Sequence, residues 1–494
     1  MALVHTHGNV VVIGGGLAGI TAAIDLAEAG LDVSLIEARP WLGGATCSFV
    51  RRGLTIDNGQ HVFLRCCTAY RELLARLGVT SLCSIQDGLE LTVLGPETQA
   101  RLHRSGLPAP LHLASSLAGY RLLSRVERVK AAAAAVVLQF TEFGGRDGDE
   151  RSLGDWLATR FQDEHARRVF WDMLAVSALN VAADDADLAL GANAIRTAVL
   201  AGRDGVDIGI PLVPLGQVHG GPAARLLARL GATIRLGVKA LTVQASPAGG
   251  YDVLVSGDGL GGDGVSGEAA GDAHEAHAVL ERISAAGVVL AVPSWDAAAL
   301  APAELDADAA RWARLEPSPV VSVHVIYGSR VTRLPFAVAV GSQVHWVVDK
   351  TSSAGLHYGQ YLAMSVPAAD SYVDLPASRL REQFLPLLAR LFPAADSAGV
   401  EDFFVTRERR ATIRHAPGSQ RWRAAQSDGL PGLALAGAWT DTGWPDTMEG
   451  AVRSGQSAAA KLLADLAGKG ALAAKPDVTP GQGDQTTPVT AVRH

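Results

Sequence analysis

Three glycines near the start of the chain have the spacing of a phosphate-binding loop. Gly14, Gly16 and Gly19 form the pattern G-x-G-x-x-G directly after an apolar run at residues 10–13. In such a loop the first glycine permits a tight turn, the second lets a diphosphate approach the backbone, and the third allows a helix to pack closely against a strand. The pattern therefore predicts that the chain binds a dinucleotide.

The elements that must position this loop lie on both sides of it. Residues 10–13 are apolar and β-branched, which is typical of a buried parallel strand. Apolar residues then recur with helical spacing until Gly30, a residue type that commonly follows the end of a helix. A second strand at 33–36 leads to Glu37, whose carboxylate is placed to accept hydrogen bonds from a ribose. The loop therefore lies in a complete β-α-β unit that ends in an acid.

A second G-x-G-x-x-G pattern, at residues 259–264, is not predicted to bind a nucleotide. No apolar-periodic helix follows it, and Asp258 and Asp263 would repel phosphates. We interpret the pattern as part of a flexible insertion at residues 257–278. The sequence therefore predicts one dinucleotide site.

Two further segments resemble the flavin-containing amine oxidase and phytoene desaturase superfamily. The pattern E-x-R-x-x-x-G-G extends from Glu37 to Gly44, and the segment from Met448 to Gly455 resembles the C-terminal flavin motif of that superfamily. The resemblance implies FAD as the cofactor, with the N-terminus of a final helix directed at the flavin, where it stabilises negative charge. It assigns FAD contacts to Gly14, Gly16, Leu17, Ala18, Gly19, Glu37, Ala38, Arg39, Gly43, Gly44, Ala45, Gly59, Gln60, Val238, Gly437, Met448, Glu449, Ala451 and Val452.

The predicted fold class is α/β, with two domains that are both discontinuous in the chain. A Rossmann-like FAD-binding domain of the glutathione-reductase type is expected at 1–95, 208–300 and 425–467. An α+β substrate domain is expected at 96–207, which is largely helical, and at 305–424, where short β-branched runs predict an antiparallel sheet. Residues 468–494 are rich in Gly, Pro, Gln and Thr and are expected to be a disordered tail.

Composition and charge exclude several classes of protein. The chain has 494 residues and a formal net charge of −7, so it lacks the basic character of a nucleic-acid-binding protein. It has no uninterrupted apolar run of the length that spans a membrane and no recognisable secretory signal. Four cysteines clustered near the N-terminus do not suggest a disulfide framework, so we expect reduced thiols and a cytoplasmic location. No metal site is predicted.

The segment at residues 111–140 alternates apolar residues with Arg121, Arg125, Arg128 and Lys130. A basic amphipathic helix of this kind is compatible with peripheral contact on the anionic inner face of a membrane. It is equally compatible with a solvated helix that packs on its own domain.

Three local segments resemble one branch of the superfamily, the bacterial hydroxysqualene dehydroxylases of hopanoid biosynthesis. These segments are residues 57–61, 177–180 and 439–445. The resemblance implies a hydrophobic isoprenoid substrate, reductive removal of a hydroxyl group to give squalene, and other enzymes of squalene and hopanoid synthesis as candidate partners. The electron donor is not identified.

Removal of a hydroxyl group requires a proton donor, and a developing cation is stabilised by a nearby π face. Under this resemblance, His61 is the first candidate for the donor, and Asp441 and Asp446 are second choices. Four residues are expected to line the substrate pocket, namely Trp171, Asn180, Trp439 and Trp444.

The chain departs from the superfamily at two positions, and other functions stay open. Ala45 stands where members often have Arg, and Ala438 follows Gly437 where an acid is common. A phytoene or carotenoid desaturase would use the same cofactor in the oxidative direction. A non-catalytic scaffold for isoprenoid enzymes is an alternative of a different class.

Overall fold

Two large β-sheets, one parallel and one mixed, organise the fold. The structure is a computed structural model that describes residues 9–144, 150–257 and 279–468. The predicted insertion at 257–278 and the predicted tail at 468–494 lie outside the described residues, except for the first residue of each.

The described strands are β1 (Asn9–Ile13), β2 (Asp32–Glu37), β3 (Ser48–Arg51), β4 (Leu54–Asp57), β5 (Phe63–Leu64), β6 (Cys83–Ile85), β7 (Glu90–Leu94), β8 (Gln99–His103), β9 (Ile208–Pro211), β10 (Thr233–Leu236), β11 (Val238–Ala245), β12 (Tyr251–Gly257), β13 (Val279–Ala285), β14 (Gly287–Leu290), β15 (Pro317–Tyr327), β16 (Phe336–Ala339), β17 (Trp346–Asp349), β18 (Gln360–Val366), β19 (Val400–Ile413) and β20 (Leu433–Leu435).

The described α-helices are α1 (Leu17–Glu28), α2 (Thr68–Arg76), α3 (Ala114–Ala118), α4 (Arg125–Phe140), α5 (Leu153–Ala158), α6 (Glu164–Ala166), α7 (Asp172–Leu179), α8 (Leu188–Ile195), α9 (Leu215–Val218), α10 (Gly220–Arg229), α11 (Ser294–Leu300), α12 (Asp306–Trp312), α13 (Thr351–Ala354), α14 (Ala377–Leu391) and α15 (Met448–Gly468). Shorter 3₁₀ and π turns occur at Thr80–Leu82, Leu111–Leu113, Arg167–Trp171, Ala183–Asp185, Arg196–Leu200, Ala303–Leu305, Pro393–Asp396 and Ser419–Trp422.

The parallel sheet carries the predicted nucleotide loop. Among the described strands, its order is β10-β2-β1-β14-β20. Val10, Val11 and Val12 of the central strand are fully buried, because helices α1, α10 and α15 cover one face and the antiparallel strands β11–β13 with α11 and α12 cover the other. Burial on both faces favours consecutive β-branched residues. The predicted Rossmann-like fold is confirmed, and its strands come from separate parts of the chain, as expected.

The mixed sheet forms the centre of the substrate-side region. Its described strands have the order β19-β15-β18-β17-β16-β7-β8, and neighbours are antiparallel except for the parallel pair β16 and β7. The apolar runs at 320–327, 336–340, 344–348 and 361–366 lie in β15, β16, β17 and β18 or extend just beyond their ends. The predicted antiparallel sheet in this part of the chain is confirmed.

The end of the first FAD-binding segment needs a correction. We expected that segment to extend to residue 95, but β7 belongs to the mixed sheet, where Val93 pairs with Val338. An apolar strand looks the same in sequence whichever sheet it joins, since its hydrogen-bond partners are distant in the chain. The boundary therefore lies before Glu90.

A helical layer packs on the mixed sheet. Buried side chains of α4, α5, α7 and α8 form one cluster with residues of β7 and β16. None of the helices in the described ranges has both the length and the apolar composition needed to cross a membrane.

Candidate active site

The glycine loop between β1 and α1 has the geometry that a diphosphate requires. Gly14 has a φ of +108°, and a Cβ added at Gly19 would lie 1.9 Å from the Gly14 carbonyl oxygen, so the loop and helix pack too closely for a side chain. By contrast, the nearest atom to a Cβ at Gly16 is the Cα of Gly44, at 4.0 Å. No described side chain caps the N-terminus of α1. Open space therefore meets the uncapped N–H groups of the helix.

The segment after β2 folds back over this loop. The Gly43 N–H donates to the Gly15 carbonyl at 2.8 Å, and a Cβ at Gly44 would lie 2.9 Å from the Gly16 Cα. The Arg39 guanidinium donates to the Gly44 carbonyl at 3.2 Å. The paired glycines thus allow two backbone segments to meet at the predicted diphosphate position.

Glu37 closes the adenosine side of the predicted site. Its carboxylate accepts hydrogen bonds from the Gly15 N–H at 2.6 Å and the Arg39 N–H at 2.7 Å. The Arg39 carbonyl in turn accepts the Gly237 N–H at 3.1 Å, which brings the start of β11, and with it Val238, next to the residues that follow Glu37. Ala38 lies between Glu37 and Arg39. The structure therefore brings together the predicted adenosine contacts from two distant parts of the chain.

The segment at residues 57–61, which we call the ring-end segment, contains an unsatisfied amide. Both the nitrogen and the oxygen of the Gln60 side chain are buried, and neither has a hydrogen-bond partner among the described residues. Buried amides in proteins are normally hydrogen-bonded, so an unpaired amide points to a group that binds there. A Cβ at the neighbouring Gly59 would lie 3.4 Å from the His61 imidazole. The open space at Gly16, the uncapped helix and the Gln60 amide together fit an extended FAD.

His61 is half-buried beside Ala45, and its charge state is set by its surroundings. Burial lowers the pKa of His61 to about 4, while the nearby Asp57 carboxylate and a hydrogen bond with the Ala45 backbone raise it and the Lys350 ammonium lowers it further. The imidazole is therefore neutral near pH 7. The Ala45 backbone thus forms a hydrogen bond with His61, although Ala45 lacks the guanidinium of the arginine that is common at this position.

Lys350 is a candidate site residue that sequence reasoning missed. Its ammonium forms an ion pair with the Asp57 carboxylate at 2.7 Å, and both side chains are almost completely buried. The other Asp57 oxygen accepts hydrogen bonds from the Ser48 hydroxyl at 2.7 Å and the Leu215 N–H at 2.9 Å. Lys350 follows β17, far along the chain from Asp57, and no local pattern marks the pair.

A group of buried aromatic side chains lies behind the ring-end segment. The His324 ring donates to or accepts from the Tyr361 hydroxyl at 2.7 Å and stacks on Phe404 with a centroid distance of 4.5 Å. Burial lowers the pKa of His324 to about 3. The Thr406 hydroxyl donates to the Asn58 carbonyl at 3.0 Å and so ties β19 to the ring-end segment. The mixed sheet thus places aromatic and polar groups next to the ring-end segment.

The C-terminal flavin motif forms the start of α15. The Thr447 hydroxyl accepts the Gly450 N–H at 3.2 Å and so caps the start of this helix. A Cβ at Gly455 would lie 2.3 Å from the Ala18 carbonyl oxygen, so this glycine allows α15 to pack on α1. Ala451 lies one turn into α15, where its N–H donates to the Thr447 carbonyl.

The side chains of Glu449 and Val452 make contacts within the protein. The buried Glu449 carboxylate accepts the N–H groups of Ala69 and Tyr70 at the start of α2, at 3.1 and 2.8 Å, and pairs with Arg453 at 2.7 Å. Val452 is buried in the core against α1. Any contact that these two residues make with FAD is therefore expected from the backbone.

A buried arginine organises the loop before α15. The Arg423 guanidinium donates to the carbonyls of Ala438, Trp439, Thr440 and Trp444 at 2.6–3.1 Å. The Gly437 N–H donates to the Ser454 hydroxyl at 2.9 Å, which connects the same loop to α15. Sequence reasoning missed Arg423, because a guanidinium that binds carbonyls leaves no spacing pattern.

The two aspartates proposed as second-choice donors are placed differently. The Asp446 carboxylate accepts the Ile413 N–H at 2.8 Å, its backbone N–H donates to His415 at 2.9 Å, and burial raises the pKa of Asp446 to about 6. Asp441 accepts the Gly443 N–H at 3.3 Å within a turn. A role in proton donation stays a prediction for both.

Two of the predicted pocket residues are core residues instead, which is a correction. Trp171 is 1% exposed and donates to the Gln162 amide oxygen at 2.9 Å. Trp439 is 3% exposed, donates to the Val292 carbonyl at 2.8 Å and packs on Trp312. Both rings are large apolar groups whose single polar atom is satisfied, which is the usual state of buried tryptophan.

The other two predicted pocket residues are accessible. Trp444 is half-buried, with the Arg453 guanidinium 5.1 Å above its ring. Asn180 ends α7 with a φ of +57° and lines a cavity of about 310 Å³ between α7 and the ends of β16 and β18. Met173, Val176, His345 and Tyr372 also line this cavity.

Comparisons with known proteins agree with this geometry. The sequence profile described as flavin containing amine oxidoreductase matches residues 17–463. A hydroxysqualene dehydroxylase of Rhodopseudomonas palustris is 29% identical over 92% of this chain and 98% of its own length, and one of Sinorhizobium fredii is 28% identical over 92% and 99%. A zeta-carotene desaturase of Zea mays is 24% identical over 92% of this chain and 83% of its own length.

Solved structures show the same fold. A redesigned putrescine oxidase superposes with a TM-score of 0.69 at 20% identity, over 92% of this chain and 99% of that one. Cyclohexylamine oxidase from Brevibacterium oxydans gives a TM-score of 0.67 at 20% identity, over 93% and 99%. The chain belongs to the flavin-containing amine oxidoreductase family and is an oxidoreductase whose cofactor is FAD.

Proposed function

We propose that this oxidoreductase removes the hydroxyl group of hydroxysqualene reductively and releases squalene. The observation that carries the proposal is the similarity to two hydroxysqualene dehydroxylases across 92% of the chain, which includes the substrate-side region as well as the nucleotide-binding fold. Similarity to the amine oxidases, at 20% identity, supports the fold alone.

The reaction requires a hydride and a proton, and the chain offers groups for the proton. FAD supplies the hydride when it is bound in its reduced form. His61 is neutral near pH 7, since its pKa is about 4, so it can give its ring N–H to the departing oxygen only if another group returns a proton to the ring. The Lys350 ammonium, paired with Asp57, is close enough to lower the pKa of His61 and is the charged donor of the same cluster.

An isoprenoid chain needs an apolar chamber that excludes water. We assign part of the substrate to the open cavity beside α7, where Met173, Val176 and Tyr372 supply apolar surface. The cavity is also lined by polar and charged groups, namely Arg168, Asp172, Asn180, Ser342, Gln343 and His345.

Desaturation of a carotenoid is the second candidate function, because the zeta-carotene desaturase of Zea mays also matches 92% of the chain. The two functions differ in the redox state of FAD that the substrate consumes. Reduced flavin would be reoxidised by hydroxysqualene, whereas oxidised flavin would be reduced by a carotenoid.

The experiment that tests the proposal uses FAD-loaded protein reduced under anaerobic conditions. We expect hydroxysqualene to restore the absorbance of oxidised flavin and to yield one squalene per flavin in a single turnover. Absence of both squalene and flavin reoxidation would contradict the proposal. Reduction of the oxidised protein by zeta-carotene, with no reaction of hydroxysqualene, would establish the second candidate instead.

His61→Ala tests the proposed proton donor. Loss of a positioned donor typically costs about 100-fold to 10,000-fold in rate, so we expect single-turnover squalene formation to fall by at least about 100-fold. His357→Ala is the matched control, since His357 is exposed and lies outside the site. If His61→Ala reacts at the wild-type rate, His61 has no part in proton donation and Lys350 or Asp446 takes its place as the candidate.

A further inference from the structure

Helix α4 turns apolar side chains towards solvent. Ala131, Ala134 and Leu138 face the core. On the opposite side, five large apolar side chains are exposed by 63%, 70%, 49%, 36% and 79%, and we call them the outer stripe: Val126, Val129, Val136, Val137 and Phe140. Helix α4 therefore has two apolar faces, one packed inside the protein and one exposed to solvent.

The outer stripe is continuous along the helix. At 100° per residue, its five members fall within one face of about 100°, and the exposed Ala133 lies on the same face. The helix has 16 residues and is about 24 Å long. Single exposed apolar residues are ordinary on protein surfaces, but an aligned row of them marks an interaction surface.

Basic side chains border the outer stripe. Arg121 and Arg125 are exposed at its N-terminal end, and Lys130 is half-buried beside it. The only acid between residues 121 and 140 is Glu127, whose carboxylate accepts the Ser124 N–H and contacts His165. Within residues 121–140 basic side chains therefore outnumber acidic ones, on a chain whose formal net charge is −7. Two further acids lie close to this segment: Glu142 is exposed just after Phe140, and Asp163 lies beside Glu127 and His165.

We propose that the outer stripe docks the protein on an anionic lipid bilayer. A helix with exposed Val and Phe residues and flanking Arg and Lys residues lies in the plane of a membrane, with the apolar side chains at the acyl boundary and the cations near the phosphates. Charge complementarity selects this partner over a second copy of the same acidic chain, which would bring two basic rims together. The docking goes beyond the proposed function and does not depend on it.

The test measures co-sedimentation of the full-length, FAD-loaded protein with two kinds of vesicle. One contains phosphatidylcholine alone, and the other contains 30% phosphatidylglycerol. We expect binding to the anionic vesicles that weakens at least tenfold when the salt concentration is raised from about 50 to 500 mM, because screening acts on exposed charges, and weak binding to the neutral vesicles.

Two variants separate the stripe from general surface hydrophobicity. Val129→Ser, Val136→Ser and Phe140→Ser together should lower vesicle binding at least tenfold. The matched control replaces three exposed apolar residues elsewhere, namely Val50→Ser, Leu280→Ser and Tyr358→Ser, and should bind as the wild type does. Circular dichroism and the flavin spectrum check that each variant is folded and loaded.

A charge variant tests the basic rim. Arg125→Glu with Lys130→Glu should abolish the preference for anionic vesicles. Unchanged vesicle binding of the stripe variant would overturn the proposal. So would a wild type that ignores both vesicles but forms a dimer that the stripe variant loses, as measured by sedimentation equilibrium. Neither readout involves catalysis, so failure here is distinct from failure of the proposed function.

Discussion

The carboxylate of Asp57 and the ammonium of Lys350 meet at 2.7 Å in a place that water barely reaches. Two charges lose much of their hydration in such a place, and their mutual attraction and additional hydrogen bonds must compensate for it. Ser48 and Leu215 supply such bonds to Asp57, so the carboxylate is satisfied on both oxygens. The pair also joins the ring-end segment to the mixed sheet, and it therefore fixes where His61 lies relative to the substrate side.

Replacing only one of these two charged residues should lower the free energy of unfolding far more than replacing both. We expect Lys350→Met to lower the free energy of unfolding by about 3–5 kcal/mol, because it leaves the Asp57 charge buried and unpaired. Asp57→Asn combined with Lys350→Met should restore much of that loss. Urea unfolding of the FAD-loaded protein at pH 7.5 measures both.

The control for this prediction is a pair on the surface. Arg379 and Glu382 form an ion pair in which both side chains are about two-thirds exposed, so Arg379→Ala should cost less than about 1 kcal/mol. If Lys350→Met costs no more than Arg379→Ala, the buried ion pair does not stabilise the fold.

Residues at this site differ in how far the sequence could identify them. The glycine loop, Glu37 and the ring-end segment carry local patterns, and the structure places Glu37 against the glycine loop. Lys350 and Arg423 carry none, because each acts through partners that only the folded chain brings near. Trp171 and Trp439 were expected in the pocket, but the sequence alone does not distinguish a tryptophan that lines a pocket from one that is buried in the core.

The β1-α1 unit is the element on which the nucleotide site depends. Two of its glycines have different roles. Gly19 allows the helix to pack on the loop, and Gly16 leaves space for a ligand. The same residue type therefore serves the fold at one position and is predicted to serve FAD binding at the other.

This difference predicts opposite results for two substitutions in one loop. Gly16→Val should fold, because its Cβ meets nothing closer than 4.0 Å, but should bind FAD at least tenfold more weakly, since the valine occupies the diphosphate position. Gly19→Ala should be destabilised by more than about 2 kcal/mol, because its Cβ would lie 1.9 Å from a backbone oxygen.

Circular dichroism and urea unfolding of the FAD-free proteins measure stability, and titration of each protein with FAD measures binding. A Gly16→Val protein with wild-type affinity would contradict the assignment of this loop to the diphosphate. A fully stable Gly19→Ala protein would show that the loop can move away from α1.

At the scale of elements, local signals were sufficient where a segment is continuous. The strands and helix of the β1-α1-β2 unit, the strands β15–β18 and the helix α15 were all predictable from apolar spacing, glycines and capping residues. The partner sheet of β7 was not, because pairing of Val93 with Val338 depends on how the chain returns more than 200 residues later.

The molecule as a whole contains several histidines that burial keeps neutral. His219 and His324 are fully buried, and His345 is nearly so; burial lowers the pKa of each to about 3. Each has a polar partner, Tyr70, Tyr361 and Ser177 respectively. They lie in different parts of the fold, at the nucleotide side, behind the ring-end segment and beside the cavity next to α7. The protonation of these three histidines therefore depends on the folding of several separate parts of the chain.

Because these pKa values are lower in the folded than in the unfolded state, the protein should lose stability as the pH falls. Unfolded histidines bind protons below about pH 6.5, whereas the buried ones stay neutral down to about pH 3, so each contributes a loss of about 1.4 kcal/mol per pH unit in that window. Asp446, with a pKa raised to about 6, opposes one of them between about pH 6 and pH 4, because the folded state then binds the extra proton. Burial also lowers the pKa values of His61 and His415, which adds to this loss. We therefore expect the free energy of unfolding to fall by more than about 3 kcal/mol per pH unit between pH 6 and pH 5, measured by urea unfolding at pH 7.5, 6 and 5. His345→Gln should reduce this slope by about 1.4 kcal/mol per pH unit, and a stability that stays constant or rises on acidification would show that these imidazoles are protonated in the folded protein.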